Sequence, residues 1–190
     1  TIGHAKVMPG IEGATDLDEL VQGAHDAGFP VAIHVMDIDT LEEALLALEA
    51  SSSPVNTVDR LEHCSLALPE QLDRIRDLGV SVCTQPSFLT RRLNKYLGEL
   101  SPAEHQWLWP LGSLTERNIK VTLSSDSPVV PADPSEWIEA SANRPLGNHE
   151  VISEESAQRM AAVATMKPGL PADMLVIANA AGYRPLTSRN

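Results

Sequence analysis

Three short segments of this chain each end in a side chain that can bind a metal or move a proton. Residues 30–34 end at His34, residues 58–63 at His63, and residues 121–126 at Asp126. Short β-branched or apolar runs that stop at Ser, Pro or charged residues are typical of buried strands. His34 and His63 lie about 30 residues apart, and Asp126 follows after about two further intervals of that size. That interval matches a βαβ unit of roughly 30 residues.

Between these strands, apolar residues recur at helical spacing. The predicted helices are residues 16–28, 39–50, 69–79, 107–118, 133–141 and 153–164. A further strand is predicted at residues 80–85, and a mixed polar stretch, residues 88–105, is expected to form a long surface excursion above a strand end, with or without a helical turn. The second helix is expected to begin at a cap formed by Asp39 or Thr40. Strict alternation of strand and helix favours parallel βαβ units, in which functional side chains gather at the carboxyl ends of the strands.

The charge balance excludes several classes of partner. The 190 residues contain 26 acidic and 14 basic side chains, giving a net charge of −12. No stripe of Lys and Arg appears, so we expect neither nucleic acid nor an anionic membrane as a partner. No apolar run approaches the ~18 residues of a membrane helix. Cys64 and Cys83 do not form a disulfide framework, and we expect inert core thiols and a cytoplasmic protein.

Two imidazoles and one carboxylate at neighbouring strand ends point to a metal site. Histidine nitrogens bind zinc at ~2.0–2.1 Å, and an aspartate can act as third ligand, as base, or as both. The chemistry that this set favours is hydrolysis of an amide, imine or ester by an activated water. The alternative is structural: His34 and His63 as satisfied core residues, and Asp126 as a cap of the Ser127–Pro128 turn.

Other polar residues near the strand ends leave two interpretations open. Gln85 and Ser87 either contact substrate or only flank a proline, and Arg91 and Arg92 either meet a substrate carboxylate or form a solvated loop face. Glu62 is expected to point away from His63, into the helix layer, and to pair with Arg60 or another base. The remaining histidines of the predicted helices and loops are expected to be exposed: His25, His105 and His149.

Several motifs together resemble the carboxyl-terminal half of the amidohydrolase superfamily, closest to its family-3 type with formamide deformylase-like members. They are RLEH at residues 60–63, QPS at 85–87, SDSPV at 125–129, and PG followed by AD at 168–173. The resemblance implies an α/β fold, a partial (β/α)8 TIM-type barrel of about strands 4–8, with a carboxyl-terminal strand of a small β-sandwich near residues 172–177. It divides the chain into residues 1–165, half of the barrel, and residues 166–190, sandwich segment and tail.

The resemblance also implies the site. His34 and His63 are expected metal ligands at the ends of strands five and six, and Asp126 is expected as a ligand and general acid/base at strand eight. Lys6 matches the lysine that many members carboxylate to bridge two metals. One or two zinc ions, or another divalent metal, and a small amide-type substrate with a C–N bond to hydrolyse are therefore expected.

The chain also departs from the family pattern. No His-x-His motif of strand one occurs among its six histidines. We therefore expect a fragment with an incomplete site, completed by a missing amino-terminal half or by homo-oligomerisation. The rival hypothesis is a catalytically inactive half-barrel that serves as a structural or assembly module. A serine hydrolase of the α/β type is disfavoured, because no G-x-S-x-G motif is present.

Overall fold

The structure is a computed structural model that describes residues 3–9, 16–162, 176–179 and 182–185. Five parallel strands form one sheet in the order of the chain. They are β1 (Ala5–Val7), β2 (Val31–Val35), β3 (Arg60–His63), β4 (Ser81–Thr84) and β5 (Val121–Leu123). Sequential parallel order requires a crossover after every strand, and helices supply those crossovers. The parallel α/β class predicted from the alternation is confirmed.

Eight helices are described. They are α1 (Leu17–Asp26), α2 (Ile38–Ala50), α3 (Pro69–Leu78), α4 (Ser87–Arg91), α5 (Leu93–Glu99), α6 (Leu111–Glu116), α7 (Pro134–Ala142) and α8 (Glu154–Ala161). Short 3-10 turns lie at His105–Trp107 and Asn148–Glu150. The helices that cross between the strands put their apolar residues against the sheet.

Local capping chemistry sets the helix ends. Asp16 accepts a hydrogen bond from the Asp18 N–H and begins α1 as predicted, and Gly79 ends α3 with a φ of 68°, a conformation that glycine adopts without a Cβ penalty. The predicted cap of α2 is wrong. Asp37 is the N-cap, and Thr40 is the third helical residue, whose hydroxyl closes a capping box with the Asp37 backbone.

One face of the sheet carries the main core. Alternate strand residues such as Ile33, Leu61 and Val82 are fully buried against the helices. The opposite face carries polar side chains, because residues in register across parallel strands share a face: Lys6 with Ala32, His34 with Glu62, and Glu62 with Cys83. The prediction that Glu62 points into the helix layer is therefore wrong. Its predicted ion pair with Arg60 is present, with the Arg60 Nη2 atom 2.6 Å from Oε1.

The stretch after β4 lies above the end of the sheet with more than half of its residues exposed, as predicted. It contains α4 and α5, and it buries Phe88, Leu89 and Tyr96 with Trp109 in a second apolar cluster above the end of the sheet. The sequence reads as polar because α4 and α5 are short and each buries only a few residues, so helical periodicity is weak there. The edge of the sheet is consequently covered by aromatic side chains.

The last part of the chain is described only as a hairpin. Strands β6 (Val176–Asn179) and β7 (Gly182–Pro185) pair in antiparallel fashion. The strand predicted near residues 172–177 lies largely outside the described residues, as does the turn at 167–169, and the division at residue 165 stays a prediction. Among the described helices, none combines the length and apolarity required to cross a membrane.

Candidate metal centre

His34 and His63 meet at the carboxyl edge of the sheet. Their ring centroids lie 4.6 Å apart with an interplanar angle of 76°. His34 is half-buried on β2, and His63 is buried at the last position of β3. Two imidazoles at this distance can present nitrogens to one ion, as zinc sites require.

An unusual backbone conformation brings His63 to this position. Regular alternation would put His63 on the sheet face opposite to His34, since His34 is in register with Glu62. His63 has a φ of 72° and Cys64 a φ of 47°, a left-handed conformation that costs roughly 1–2 kcal/mol per non-glycine residue. Hydrogen bonds hold it: Cys64 N–H donates to Val35 O at 3.0 Å, and Thr84 Oγ1 donates to His63 O at 2.6 Å. Such strain is concentrated at functional sites.

Gln85 fixes the tautomer of His63. The Gln85 amide Nε2 donates to Ser124 Oγ at 2.8 Å and lies 3.5 Å from Cys83 O, which can only accept. Its Oε1 therefore faces His63 Nδ1 at 2.7 Å, and Nδ1 donates the hydrogen bond. This leaves the His63 Nε2 lone pair free, which is the arrangement that a ligating histidine needs. Gln85 was singled out as a possible substrate contact; the structure shows this orienting contact, and a substrate contact stays a prediction.

The environment keeps His34 neutral. Burial lowers the pKa of the His34 imidazole, and the nearby charges of His63 and Lys6 lower it further. Asp126 and Asp37 oppose this shift in the pKa of His34 without overcoming it. A neutral imidazole is the form that binds a metal, so the lowered pKa of His34 fits an ion.

Asp126 does not end a strand. Strand β5 stops at Leu123, and Asp126 follows three residues later in an exposed turn with a φ of 54°. It lies close enough for its negative charge to raise the pKa of His34 against the effect of burial. Within the described part of the chain, no group of three His, Cys, Asp or Glu side chains is close enough to hold an ion. The structure thus brings the two histidines together and leaves Asp126 near them.

Lys6 lies on the same sheet face as His34 and is exposed. It is in register with Ala32, two residues before His34, and its positive charge lowers the pKa of the His34 imidazole. Glu62 is level with His34, but Arg60 binds its carboxylate with both Nε and Nη2. Cys83 faces this side and is half-buried. Cys64 is fully buried, and this burial raises the pKa of its thiol to about 12.

Aromatic and basic side chains cover the histidine pair from α4. The Phe88 ring stacks on His63 at a centroid distance of 6.3 Å. Arg91 turns outward to Glu136, with an Nη2–Oε1 distance of 2.6 Å, while the guanidinium of Arg92 lies over Phe88. Ser87 is buried, and its hydroxyl lacks a hydrogen-bond partner among the described residues.

His25 is the histidine that the sequence misplaced most. It was expected to be exposed, yet it is buried between α1, α2 and β3 at the opposite edge of the sheet. Its Nε2 donates to Asp59 Oδ1 at 3.1 Å, and its Nδ1 pairs with Ser51 Oγ at 2.7 Å. The expectation of exposure is confirmed for His149, and His105 is half-buried.

Parallel α/β proteins with imidazoles at the carboxyl ends of neighbouring strands form a class that holds catalytic metals at that edge. Comparison with known proteins then gives the family. The amidohydrolase family model matches residues 4–178, and the chain belongs to this family, as its motifs predicted.

Individual relatives agree with this assignment. An N-substituted formamide deformylase from Arthrobacter pascens is 31% identical over 157 residues, which are 77% of this chain and 29% of that protein. An uncharacterized metal-dependent hydrolase from Pyrococcus furiosus is 31% identical, with a TM-score of 0.66, over 75% of this chain and 30% of that one. A second such hydrolase, from Pyrococcus horikoshii OT3, shares the fold, with a TM-score of 0.72 at 23% identity over 84% of this chain and 38% of that one. The chain therefore spans about 30% of the length of the first two relatives.

Proposed function

We propose that this chain contributes the metal-binding edge of a hydrolase that cleaves C–N bonds of small, amide-type substrates. The observation that carries the proposal is the pair of imidazole rings 4.6 Å apart, one of them with its tautomer fixed by Gln85. The relatives described as a formamide deformylase and a metal-dependent hydrolase support the same reaction class. Within this proposal the five parallel strands are consecutive strands of a (β/α)8 barrel, and further polypeptide supplies its remaining strands.

His34 and His63 would hold the ion, for which zinc is our proposal because its ligands are neutral imidazoles and carboxylates. A divalent ion supplies polarisation of the scissile carbonyl and activation of water near neutral pH. Asp126 would accept a proton from the attacking water and donate it to the leaving nitrogen, which restores the Asp126 carboxylate. Lys6, if carboxylated, would serve a second ion.

Zinc binding by the metal-free chain tests the proposal. We expect about one zinc ion per chain in wild type, measured by competition with a chromophoric chelator and by elemental analysis, and at least a tenfold weaker affinity in His34→Ala and in His63→Ala. His149→Ala is the matched control, since His149 is exposed. Equal zinc content in all four proteins would refute the assignment of the site.

The second candidate is an inactive half-barrel that acts as an assembly module. The exposed position of Asp126, outside any group of three ligands in the described residues, favours it. Sedimentation with and without zinc separates the two: a metal-free homodimer that binds no zinc supports the module, and zinc-loaded chains support the hydrolase.

A further inference from the structure

Arg92 differs from the other arginines whose side chains the structure describes. Six of them pair with a carboxylate, and Arg144 donates to backbone carbonyls such as Trp109 O at 2.7 Å. The six are Arg60, Arg74, Arg76, Arg91, Arg117 and Arg159. Among the described residues, Arg92 has no carboxylate within ion-pair distance, although the chain carries 26 acidic residues. Apart from its contact with the Tyr96 hydroxyl, the Arg92 guanidinium therefore has donors without an anionic partner in the described part of the chain.

Two aromatic side chains hold the Arg92 guanidinium in place. Its central carbon lies 5.0 Å from the centroid of the Phe88 ring, a cation–π geometry. It also lies beside the Tyr96 hydroxyl: burial raises the pKa of Tyr96, and the positive charge of Arg92 partly opposes that rise. Phe88 and Tyr96 are themselves buried against Trp109. The cation is thus fixed by packing, which lowers the entropic cost of binding an anion.

A cavity that is wide open to solvent lies beside this cation. It has a volume of about 440 Å³ and is lined by Thr90, Arg91, Arg92, Leu93, Asn94 and Lys95. Thr90 and Asn94 offer neutral polar groups, and Lys95 offers an ammonium whose contact with Glu99 is long, at 3.8 Å. Arg91 is already neutralised by Glu136. The free positive charge of the cavity therefore comes from Arg92 and Lys95.

Phe88 links the Arg92 guanidinium to the histidine pair. Phe88 touches both partners, since its ring stacks on His63 at 6.3 Å while Arg92 lies over it. The distance from the Arg92 guanidinium to the His63 ring cannot exceed the sum of these two separations. A substrate with its scissile group at the histidines and a charged end at Arg92 would have to reach across that separation.

We propose that Arg92 and its cavity bind the carboxylate of an anionic amide-type substrate, and that Arg92 is the specificity determinant for that charge. This inference deepens the proposed function and rests on it, because the bound anion is a substrate only if the chain belongs to an active hydrolase. A guanidinium binds a carboxylate through two parallel hydrogen bonds, which an amide of the same shape cannot replace. Of the two arginines that the sequence left open, Arg91 is occupied by Glu136, and Arg92 has no carboxylate partner among the described residues.

Binding of an isosteric probe pair tests this. Phenylacetate and phenylacetamide differ in charge and hardly in shape, and their dissociation constants are measured by calorimetry on metal-depleted wild type, Arg92→Met, Arg92→Lys and the control Arg91→Met. We expect wild type to prefer phenylacetate at least tenfold, Arg92→Met to lose that preference, Arg92→Lys to keep part of it, and Arg91→Met to change it less than twofold.

Two results would overturn the proposal: no preference for phenylacetate in wild type, or an Arg92→Met variant that retains it. Circular dichroism checks the fold of each variant, and if Arg92→Met does not fold, the wild-type preference and its loss at high salt decide the question. The zinc titration is a separate readout, because the probes are added without metal. A chain that binds phenylacetate but no zinc would contradict the hydrolase and leave the anion site standing.

Discussion

Asp59 is expected to be the most costly single carboxylate to remove for stability. It lies just before β3, and its side chain and that of His25 are 1% and 2% exposed. Oδ1 accepts hydrogen bonds from His25 Nε2 at 3.1 Å and from Val31 N–H at 2.8 Å, and Oδ2 accepts one from Ser53 Oγ. This one carboxylate therefore ties α1, β2 and the loop before β3 together.

The magnitude follows from what Asp59→Ala leaves behind. The Val31 N–H and the His25 imidazole lose their acceptor in a buried site, and each buried unsatisfied group costs about 1–3 kcal/mol. Removing one partner of a buried pair costs about 3–5 kcal/mol. We expect Asp59→Ala to lower the free energy of unfolding by about 4 kcal/mol. Asp59→Asn, which keeps one acceptor oxygen, should lower it by about 2 kcal/mol.

Urea unfolding followed by tryptophan fluorescence measures these losses. Asp77→Ala is the control, because Asp77 is 68% exposed and pairs with Arg76 only on the surface; a loss below about 1 kcal/mol is expected there. The reasoning is refuted if Asp59→Ala costs no more than the control, or if Asp59→Asn costs as much as Asp59→Ala.

Three further outcomes are expected. Gln85→Leu should weaken zinc binding about 10–100-fold by freeing the His63 ring, with unfolding unchanged within about 2 kcal/mol; an unchanged zinc affinity would contradict the orienting role. Burial raises the folded-state pKa of Cys64 to about 12, above its unfolded value. The contribution of the protonated thiol to stability is therefore complete below pH ~8.5 and is lost as the pH rises toward 12, at up to about 1.4 kcal/mol per pH unit. Cys64→Ala should flatten this part of the alkaline stability curve, and an unaltered slope would exclude Cys64 as its source. Glu150, fully buried, accepts from the Ser113 N–H at 2.7 Å and Oγ at 2.6 Å, so Glu150→Ala should cost about 3 kcal/mol in the same urea assay, and a loss under about 1 kcal/mol would show that water replaces the carboxylate.

Errors of the sequence interpretation share a physical cause. His25 looked exposed because it lies outside the apolar spacing of α1, and its partner Asp59 is 34 residues away in the sequence. The buried contacts within residues 88–105 were missed because Phe88 and Tyr96 find their apolar partner, Trp109, in a later segment. Glu62 was assigned to the wrong face because the left-handed backbone at His63 breaks the alternation used to place it. Local periodicity contains none of these long-range contacts.

The sequence by itself determined the elements and their order. Apolar spacing, caps such as Asp16 and Ser153, and the stop at Gly79 define strands and helices through interactions within a few residues. Strand–helix alternation then requires a parallel sheet, and motifs such as RLEH identified the amidohydrolase family. These features are local or compositional, so they can be read without coordinates.

Only the tertiary structure decided how the side chains at the strand ends face one another. The contact of His34 with His63, the bond from His63 to Gln85, and the choice of Arg92 over Arg91 as the free cation depend on residues that are distant in the chain. A turn of one backbone angle moves an imidazole from one face of a sheet to the other, and that angle is set by packing and hydrogen bonds from neighbouring strands. The chemistry of this edge is therefore a property of the fold.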